Sequence, residues 1–340
     1  MPQTMKAMQV KKPHGAFELV QLPVPEPAAG QVRIAVEACG LCHSDALVKE
    51  GGFPGLAYPR VPGHELVGRV DALGAGVSEW KPGQRVGVGW HGGHCFVCEP
   101  CRAGDFIQCV RAQICGISYD GGYAEYVVAP HEALAAIPDA LDAVAAAPLL
   151  CAGVTTFNAL RHSGARAGDT VAVQGIGGLG HLGIQFARHL GFRTVALSRG
   201  EDKRALALEL GAHVYLDQAK GKAATLLQEL GGARAILATA PSAKLMGPLV
   251  DGLRRDGVLL VVGADAAPIE VSPLQLIFGR RRVQGWPSGT AKDSEETLAF
   301  SALEGIAPRN EVFPLEQANE AYARMIENRV RFRAVLRIRS

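Results

Sequence analysis

The sequence predicts an α/β protein in which a doubly wound parallel sheet accompanies a separate, β-rich domain. Three observations carry this prediction. The rhythm of the chain changes near residue 150, from short apolar runs between turn signals to an alternation of strand-like and helix-like segments. A glycine-rich string, Gly175-Ile176-Gly177-Gly178-Leu179-Gly180, stands between a strand candidate and a helix candidate. The length of 340 residues exceeds one ordinary domain and favours two.

In the first ~150 residues the strand candidates are Val32–Val36, Val67–Val70, Arg85–Val88 and Tyr123–Val128. Val61-Pro62-Gly63 and Lys81-Pro82-Gly83 punctuate them, which suggests a small barrel or sandwich with functional loops. Beyond residue 150, Thr170–Gln174 reads as a strand, Leu179–Leu190 as a helix and Thr194–Leu197 as a strand. Asp202–Leu210 follows as a helix ending at Gly211, then strands at Ala235–Thr239 and Val258–Gly263. After about residue 285 the rhythm breaks. The tail holds a helix candidate, Leu315–Asn328, and a last strand, Ala334–Ile338, that could return to the first domain.

Composition narrows the functional classes. An apolar fraction of 48% and a charged fraction of 20% are those of an ordinary globular chain able to bury a large core. A net charge of +2 without a basic run gives no footprint for nucleic acid or an anionic membrane. The opening MPQTMKAMQVKKPHG lacks the apolar stretch of a secretion signal, and no window approaches ~18 consecutive apolar residues. A cytoplasmic location is therefore expected, and the eight cysteines need a role other than disulfides.

Four of them supply one. Cys95, Cys98, Cys101 and Cys109 follow the spacing C-x2-C-x2-C-x7-C. Tight turns between them can aim four thiolates at one ion and close its tetrahedron, which describes a structural zinc site. An iron–sulfur centre uses similar spacings and is the alternative. A second set is scattered: Cys42 in Cys42-His43-Ser44-Asp45, His64 in Gly63-His64-Glu65, and Cys151 where the rhythm changes. Spacing alone does not single them out, since a lone cysteine or histidine is more often a core residue. Their chemistry does suit a metal, because two thiolates and one imidazole leave a fourth position for water or substrate. Such a zinc would act as a Lewis acid on an alcohol or a carbonyl. Asp45 and Glu65 are candidates for orienting its ligands, since metal-bound imidazoles donate their other N–H to an acceptor.

The glycine string matches G-x-G-x-x-G at Gly175, Gly177 and Gly180, with Gly178 and Leu179 between. Gly175 would make the tight turn, Gly177 would let the backbone approach a pyrophosphate, and Gly180 would allow close helix–strand packing. The helix N-terminus then faces the phosphates. The next strand ends in Ser198-Arg199 rather than in a carboxylate. A hydroxyl and a guanidinium suit a ribose 2′-phosphate, which favours NADP(H) over NAD(H). Glu201 and Asp202 lie close enough to keep NAD(H) open.

Taken together, Gly40-Leu41-Cys42-His43-Ser44-Asp45, Gly63-His64-Glu65, the four-cysteine lobe, Leu150-Cys151-Ala152-Gly153-Val154-Thr155 and the glycine loop stand in the order of the zinc-dependent alcohol dehydrogenases. The chain resembles this branch of the medium-chain dehydrogenase/reductase superfamily over nearly its whole length, with wording closest to microbial and cinnamyl-alcohol-dehydrogenase-like members. The resemblance implies a GroES-like catalytic domain (residues 1–152, completed by 287–340), a Rossmann cofactor domain (residues 153–286) and an active site in the cleft between them. It implies that Cys42, His64 and Cys151 hold a catalytic zinc, with Glu65 behind the metal as an occasional ligand and Asp45 bonded to His64. Ser44 would take the substrate proton. His43 and Arg333 would lie near the cofactor phosphates, Thr155 near the nicotinamide and Lys203 near the adenosine ribose.

Two departures from the family pattern stand out. Many relatives carry a histidine where this chain has Leu47, so the proton would leave Ser44 by another route, such as the cofactor ribose and water. Trp286-Pro287 replaces small residues often found near the nicotinamide. Trp90, Tyr119 and Trp286 are candidates to line the substrate pocket, with plain core packing as the equal alternative for each. The resemblance implies hydride transfer between a primary alcohol and a nicotinamide cofactor. A polyol or formaldehyde dehydrogenase of the same superfamily, or a non-catalytic zinc-containing dinucleotide sensor, are the other readings. Small alcohols and aldehydes are the expected partners, and by analogy a homo-oligomer, a tetramer before a dimer. Cys39 and Cys115 are left as structural thiols.

Overall fold

The computed structural model describes residues 3–339. The chain forms two compact units, one running to Val154 and resuming at Ser288, the other spanning Thr155–Pro287.

The first unit is built around the ten-residue strand Gln31–Gly40. Its inward positions Val32, Ile34 and Val36 alternate with half-buried residues, as a strand with one face on a core requires. It is the most heavily paired strand of a seven-stranded sheet. Leu66–Leu73, Tyr126–Pro130 and the C-terminal Arg333–Arg337 all run antiparallel to it. Arg85–Val88 and Leu134–Ala136 extend one side, and Asn310–Pro314 closes the other. The tail does return to this unit: Val335 pairs with Gly40, Leu336 with Cys39, and Leu41 N–H donates to the Ala334 carbonyl at 2.9 Å. The register that sets Cys39 against Leu66 brings the chain after Gly40 alongside the chain before Leu66.

The second unit holds a six-stranded, wholly parallel sheet. Its spatial order is Val214–Asp217, Arg193–Ser198, Thr170–Gln174, Ala233–Ala238, Leu253–Val261 and Arg282–Gly285. Numbered along the chain, that order is 3-2-1-4-5-6, that of a dinucleotide-binding fold. The central strands Thr170–Gln174 and Ala233–Ala238 are buried through most of their length, as strands of a sheet covered on both faces are. The order reverses beside Thr170–Gln174, and the glycine string leaves the carboxyl end of that strand.

Some elements differ from the sequence reading. The strand expected at Tyr123–Val128 runs Tyr126–Pro130, and the helix after Asp202 spans only Arg204–Glu209. The last helix, Ala318–Ile326, is entered through a 3-10 turn, and Asn328 in the left-handed region (φ 55°) ends it. The hairpin Thr4–Val10/Phe17–Pro23 and the helix Ala291–Glu304 were not anticipated. That helix buries Ser294, Thr297 and Ser301 beside Leu298, so its inner face carries almost no apolar periodicity. Its ends were nonetheless written in the sequence: the Thr290 hydroxyl accepts from Asp293 N–H while the Asp293 carboxylate accepts from Thr290 N–H at 2.8 Å, and Gly305 closes it at φ 67°.

Replacing Thr290 with alanine removes this cap. A loss of about 1 kcal/mol of local stability, read as roughly fivefold faster hydrogen exchange in the helix's first turns, is the expected result. Unchanged exchange would show that the cap contributes nothing.

Candidate active site and metal centres

Two clusters of ligating side chains lie in the first unit. In the first, one sulfur from each of Cys95, Cys98, Cys101 and Cys109 lies within 4.8 Å of all the others. All eight cysteines of the chain are free thiols. The turn is made by Phe96 at φ 61°, by Cys98 in extended geometry and by Pro100 in the first turn of the short helix Glu99–Arg102. Cys95 N–H and Arg111 N–H both donate to Cys109 Sγ at 3.4 Å. Backbone donors from Val97 and Cys98 draw the Cys95 thiol down to about 6, so a thiolate forms there readily. Four sulfurs at this separation, served by backbone N–H groups, fit one tetrahedral ion with no open position.

The second cluster joins Cys42, His64, Glu65 and Cys151, whose ligand atoms also lie within 4.8 Å of one another. Sheet register explains the first three, because Cys42 follows Gly40 and His64-Glu65 precedes Leu66 on paired strands. Cys151 arrives from the end of the 3-10 turn Ala147–Leu150, its Sγ 3.9 Å from Cys42 Sγ. Asp45 stands behind His64, its Oδ1 3.2 Å from Nδ1. Burial disfavours the imidazolium, but the adjacent Asp45 carboxylate outweighs it and pushes His64 well up. The opposite nitrogen, Nε2, is buried without a hydrogen-bond partner, and so is Glu65 Oε2. Leaving such atoms unanswered costs about 1–3 kcal/mol each. A ring nitrogen and a carboxylate oxygen without partners, beside two thiols, are the side-chain types of a cation site, which binds once the imidazole and thiols have given up their protons. Glu65 is fully buried, which raises its carboxyl to about 7, and Arg333 pairs with its other oxygen. A Cβ on residue 40 would fall 1.9 Å from Glu65 Oε2, so only glycine at that position leaves Glu65 its place.

In the second unit the three glycines have separate reasons. Gly175 sits at φ 90°, and a Cβ on Gly180 would strike the Gly175 carbonyl oxygen at 1.9 Å. A Cβ on Gly177 would meet no protein atom within 4 Å. Close packing within the protein therefore does not account for Gly177, and the backbone there is open to approach. The helix Gly180–His189 begins here, and Lys203 Nζ donates to the Ile176 carbonyl at 3.2 Å.

Comparison with known proteins agrees with this geometry. Residues 28–139 match the alcohol dehydrogenase GroES-like domain, and residues 178–303 match the zinc-binding dehydrogenase family. Alcohol dehydrogenase PatD of Penicillium expansum is 45% identical over 335 residues, covering 98% of each chain. The chain belongs to the zinc-type alcohol dehydrogenases of the medium-chain dehydrogenase/reductase superfamily. Among solved structures, a cinnamyl alcohol dehydrogenase of Sorghum bicolor aligns with a TM-score of 0.90 at 30% identity, over 98% of both chains. An NAD-dependent alcohol dehydrogenase aligns at 0.90 and 29%, over 99% and 100%. A cinnamyl-type enzyme of Helicobacter pylori, complexed with NADP(H), aligns at 0.88 and 27%, over 99% of both. The protein is thus an oxidoreductase of this superfamily.

The remaining expected site residues of this alcohol dehydrogenase fall as follows. Exposed His43 and half-buried Ser44 share the 3-10 turn His43–Asp45 with Asp45. Trp90 meets the His64 ring edge-on at 5.1 Å, placing it beside the metal cluster. Tyr119 donates its hydroxyl to the Gly92 carbonyl at 2.9 Å, a contact that belongs to the cysteine lobe's support. Arg333, expected near phosphate, binds the Leu41 carbonyl at 2.9 Å and Glu65. In the second unit Thr155 is buried on the helix Ala152–Arg161, and Trp286 stacks on His162 at 4.7 Å. Ser198 is buried and Arg199 exposed at the end of their strand. Asp217, in register with Ser198, went unnoticed in the sequence. Its Oδ1 accepts from Gly200 N–H at 2.7 Å and Ala219 N–H at 2.8 Å, while the Tyr215 hydroxyl holds the Gly200 carbonyl. The turn carrying Arg199 is therefore fastened from the neighbouring strand. No local signal marked Asp217, because its role exists only once the strands pair.

The two clusters call for opposite outcomes on mutation. Cys151→Ser should leave a folded protein without measurable turnover. Cys98→Ser should lower the melting temperature or disrupt assembly. Wild-type kcat in Cys151→Ser would remove Cys151 from the ligand set.

Proposed function

We propose that this alcohol dehydrogenase interconverts primary alcohols and aldehydes with two zinc ions per chain and NADP(H), and that it works in the cytoplasm as a homo-oligomer. The observation that carries the reading is the cluster of Cys42, His64 and Cys151, with His64 Nε2 buried and unpartnered. Zinc bound there would polarise the substrate oxygen, and the nicotinamide would exchange hydride with the substrate carbon. Asp45 holds the Nδ1 proton of His64, which keeps the lone pair on Nε2 for the metal. Ser44 Oγ takes the alcohol proton. Leu47 carries no titratable group, so the ribose hydroxyls of a bound cofactor, with water, would supply the onward path. Trp90, edge-on to His64 at 5.1 Å, would give a substrate pocket beside the metal an aromatic wall.

Several features support NADP(H). Ser198 and Arg199 offer a hydroxyl and a guanidinium where a 2′-phosphate would lie. Two of the nearby carboxylates are engaged: Glu201 pairs with Lys220 and, at 3.5 Å, with Arg204, and Asp217 caps two backbone N–H groups. Self-association is supported by the edge strand Arg282–Gly285 and the neighbouring Leu274, Ile277 and Phe278, exposed by 60%, 65% and 77%. A tetramer is favoured over a dimer by analogy with microbial relatives. Free thiols throughout agree with a reducing compartment, and among the described residues no single helix is long and apolar enough to cross a membrane.

Steady-state kinetics with both cofactors tests the reading. A kcat/KM at least tenfold higher with NADPH, falling in Arg199→Ala mainly through KM, is expected; a strong preference for NADH would overturn the cofactor assignment. A substrate panel of benzyl alcohol, ethanol, sorbitol and a bulky aldehyde should show primary alcohols preferred, and activity confined to sorbitol would make it a polyol dehydrogenase.

A further inference from the structure

We propose that Tyr123 is a positioning residue for the catalytic metal centre, acting through Asp45 on His64. The inference rests on the reading of Cys42, His64 and Cys151 as metal ligands. Asp45 divides its two oxygens between two tasks. Oδ1 faces His64 Nδ1 at 3.2 Å. Oδ2 accepts two hydrogen bonds, from the Tyr123 hydroxyl at 2.9 Å and from Cys42 N–H at 2.8 Å. A carboxylate held through one oxygen alone can swing about its Cβ–Cγ bond, which is a soft torsion. Two donors on Oδ2 fix the carboxylate plane, and with it the direction from which Oδ1 meets the imidazole. The angle of the His64 ring, and so the aim of Nε2, follows from that plane.

Tyr123 is built to hold this position. Its ring is fully buried and meets Phe17 edge-on at 5.8 Å. Its N–H donates to the Pro62 carbonyl at 3.0 Å, and its carbonyl accepts from Met8 N–H at 2.8 Å. It also presses on the backbone that carries the ligand. A Cβ on Gly63, the residue before His64, would lie 2.6 Å from Tyr123 Cδ1. Asp45 and His64 are 1% and 2% exposed, so the bonds that orient them are made away from bulk solvent.

The test is Tyr123→Phe, which keeps the ring and its packing and removes only the bond to Asp45. Zinc release from the purified, zinc-loaded enzyme to a chromogenic chelator should show two phases. The phase missing in Cys151→Ser identifies the catalytic site, and the other, belonging to the cysteine lobe, is an internal reference. In Tyr123→Phe we expect the catalytic phase to quicken about tenfold with the reference phase unchanged, and kcat to fall more than the cofactor KM rises. The double variant Tyr123→Phe/Asp45→Asn should release zinc no faster than Asp45→Asn alone, because the tyrosine acts through that carboxylate. Unchanged release overturns the proposal, as does equal acceleration of both phases, which is general loosening, or additivity in the double variant. A wild-type enzyme with no zinc phase that Cys151→Ser removes overturns the ligand reading and this proposal with it.

Discussion

Two carboxylates and an arginine stripped of water form the constraint around which the first unit is organised. Asp45, Glu65 and Arg333 are all buried, and each charge would be costly if left unanswered. Glu65 is answered by Arg333 on one oxygen and faces the ligand cluster with the other. Asp45 is answered by His64, Tyr123 and the Cys42 N–H. These partners come from distant parts of the chain, and the sheet centred on Gln31–Gly40 is what gathers them. The C-terminal strand Arg333–Arg337 is drawn into that sheet, and the tail therefore supplies both an edge to the core and the cation that neutralises Glu65. Gly40 belongs to the same constraint, since any side chain there would displace the Glu65 carboxylate.

The second unit answers a different demand. Its parallel sheet buries mainly apolar side chains at the centre, with Asp217 a buried carboxylate answered by backbone N–H groups. What it must provide is exposed backbone at the end of the first strand. The positive φ of Gly175, the open space around Gly177 and the Gly180–Gly175 contact do this with three residues. The turn Ser198–Gly200 is held from the adjoining strand by Asp217 and Tyr215.

How much of this was legible in the sequence follows from how local each cause is. The four-cysteine lobe is local: its spacing alone describes a closed metal site, and the sulfurs do converge. The glycine loop is local as well: Gly175 takes a positive φ and Gly180 packs against it, as the motif implies. The scattered cluster is not. Cys42 and Cys151 lie 109 residues apart, and only the order of the surrounding motifs, matched to a known family, brought them together. The contributions of Tyr123, Gly40 and Asp217 escaped altogether, because each acts on a partner fixed by strand register rather than by neighbourhood in the chain. The helix Ala291–Glu304 escaped for a simpler reason: serines and threonines line its buried face, so the apolar period that marks most helices is missing.

The central claim is that this chain gathers two metal sites of different kind within one unit. Elemental analysis of the protein, purified without added chelator, tests it most directly. The account predicts two zinc ions per chain, with one lost in Cys151→Ser and the other retained. One zinc per wild-type chain, or iron in the cysteine lobe, would contradict it.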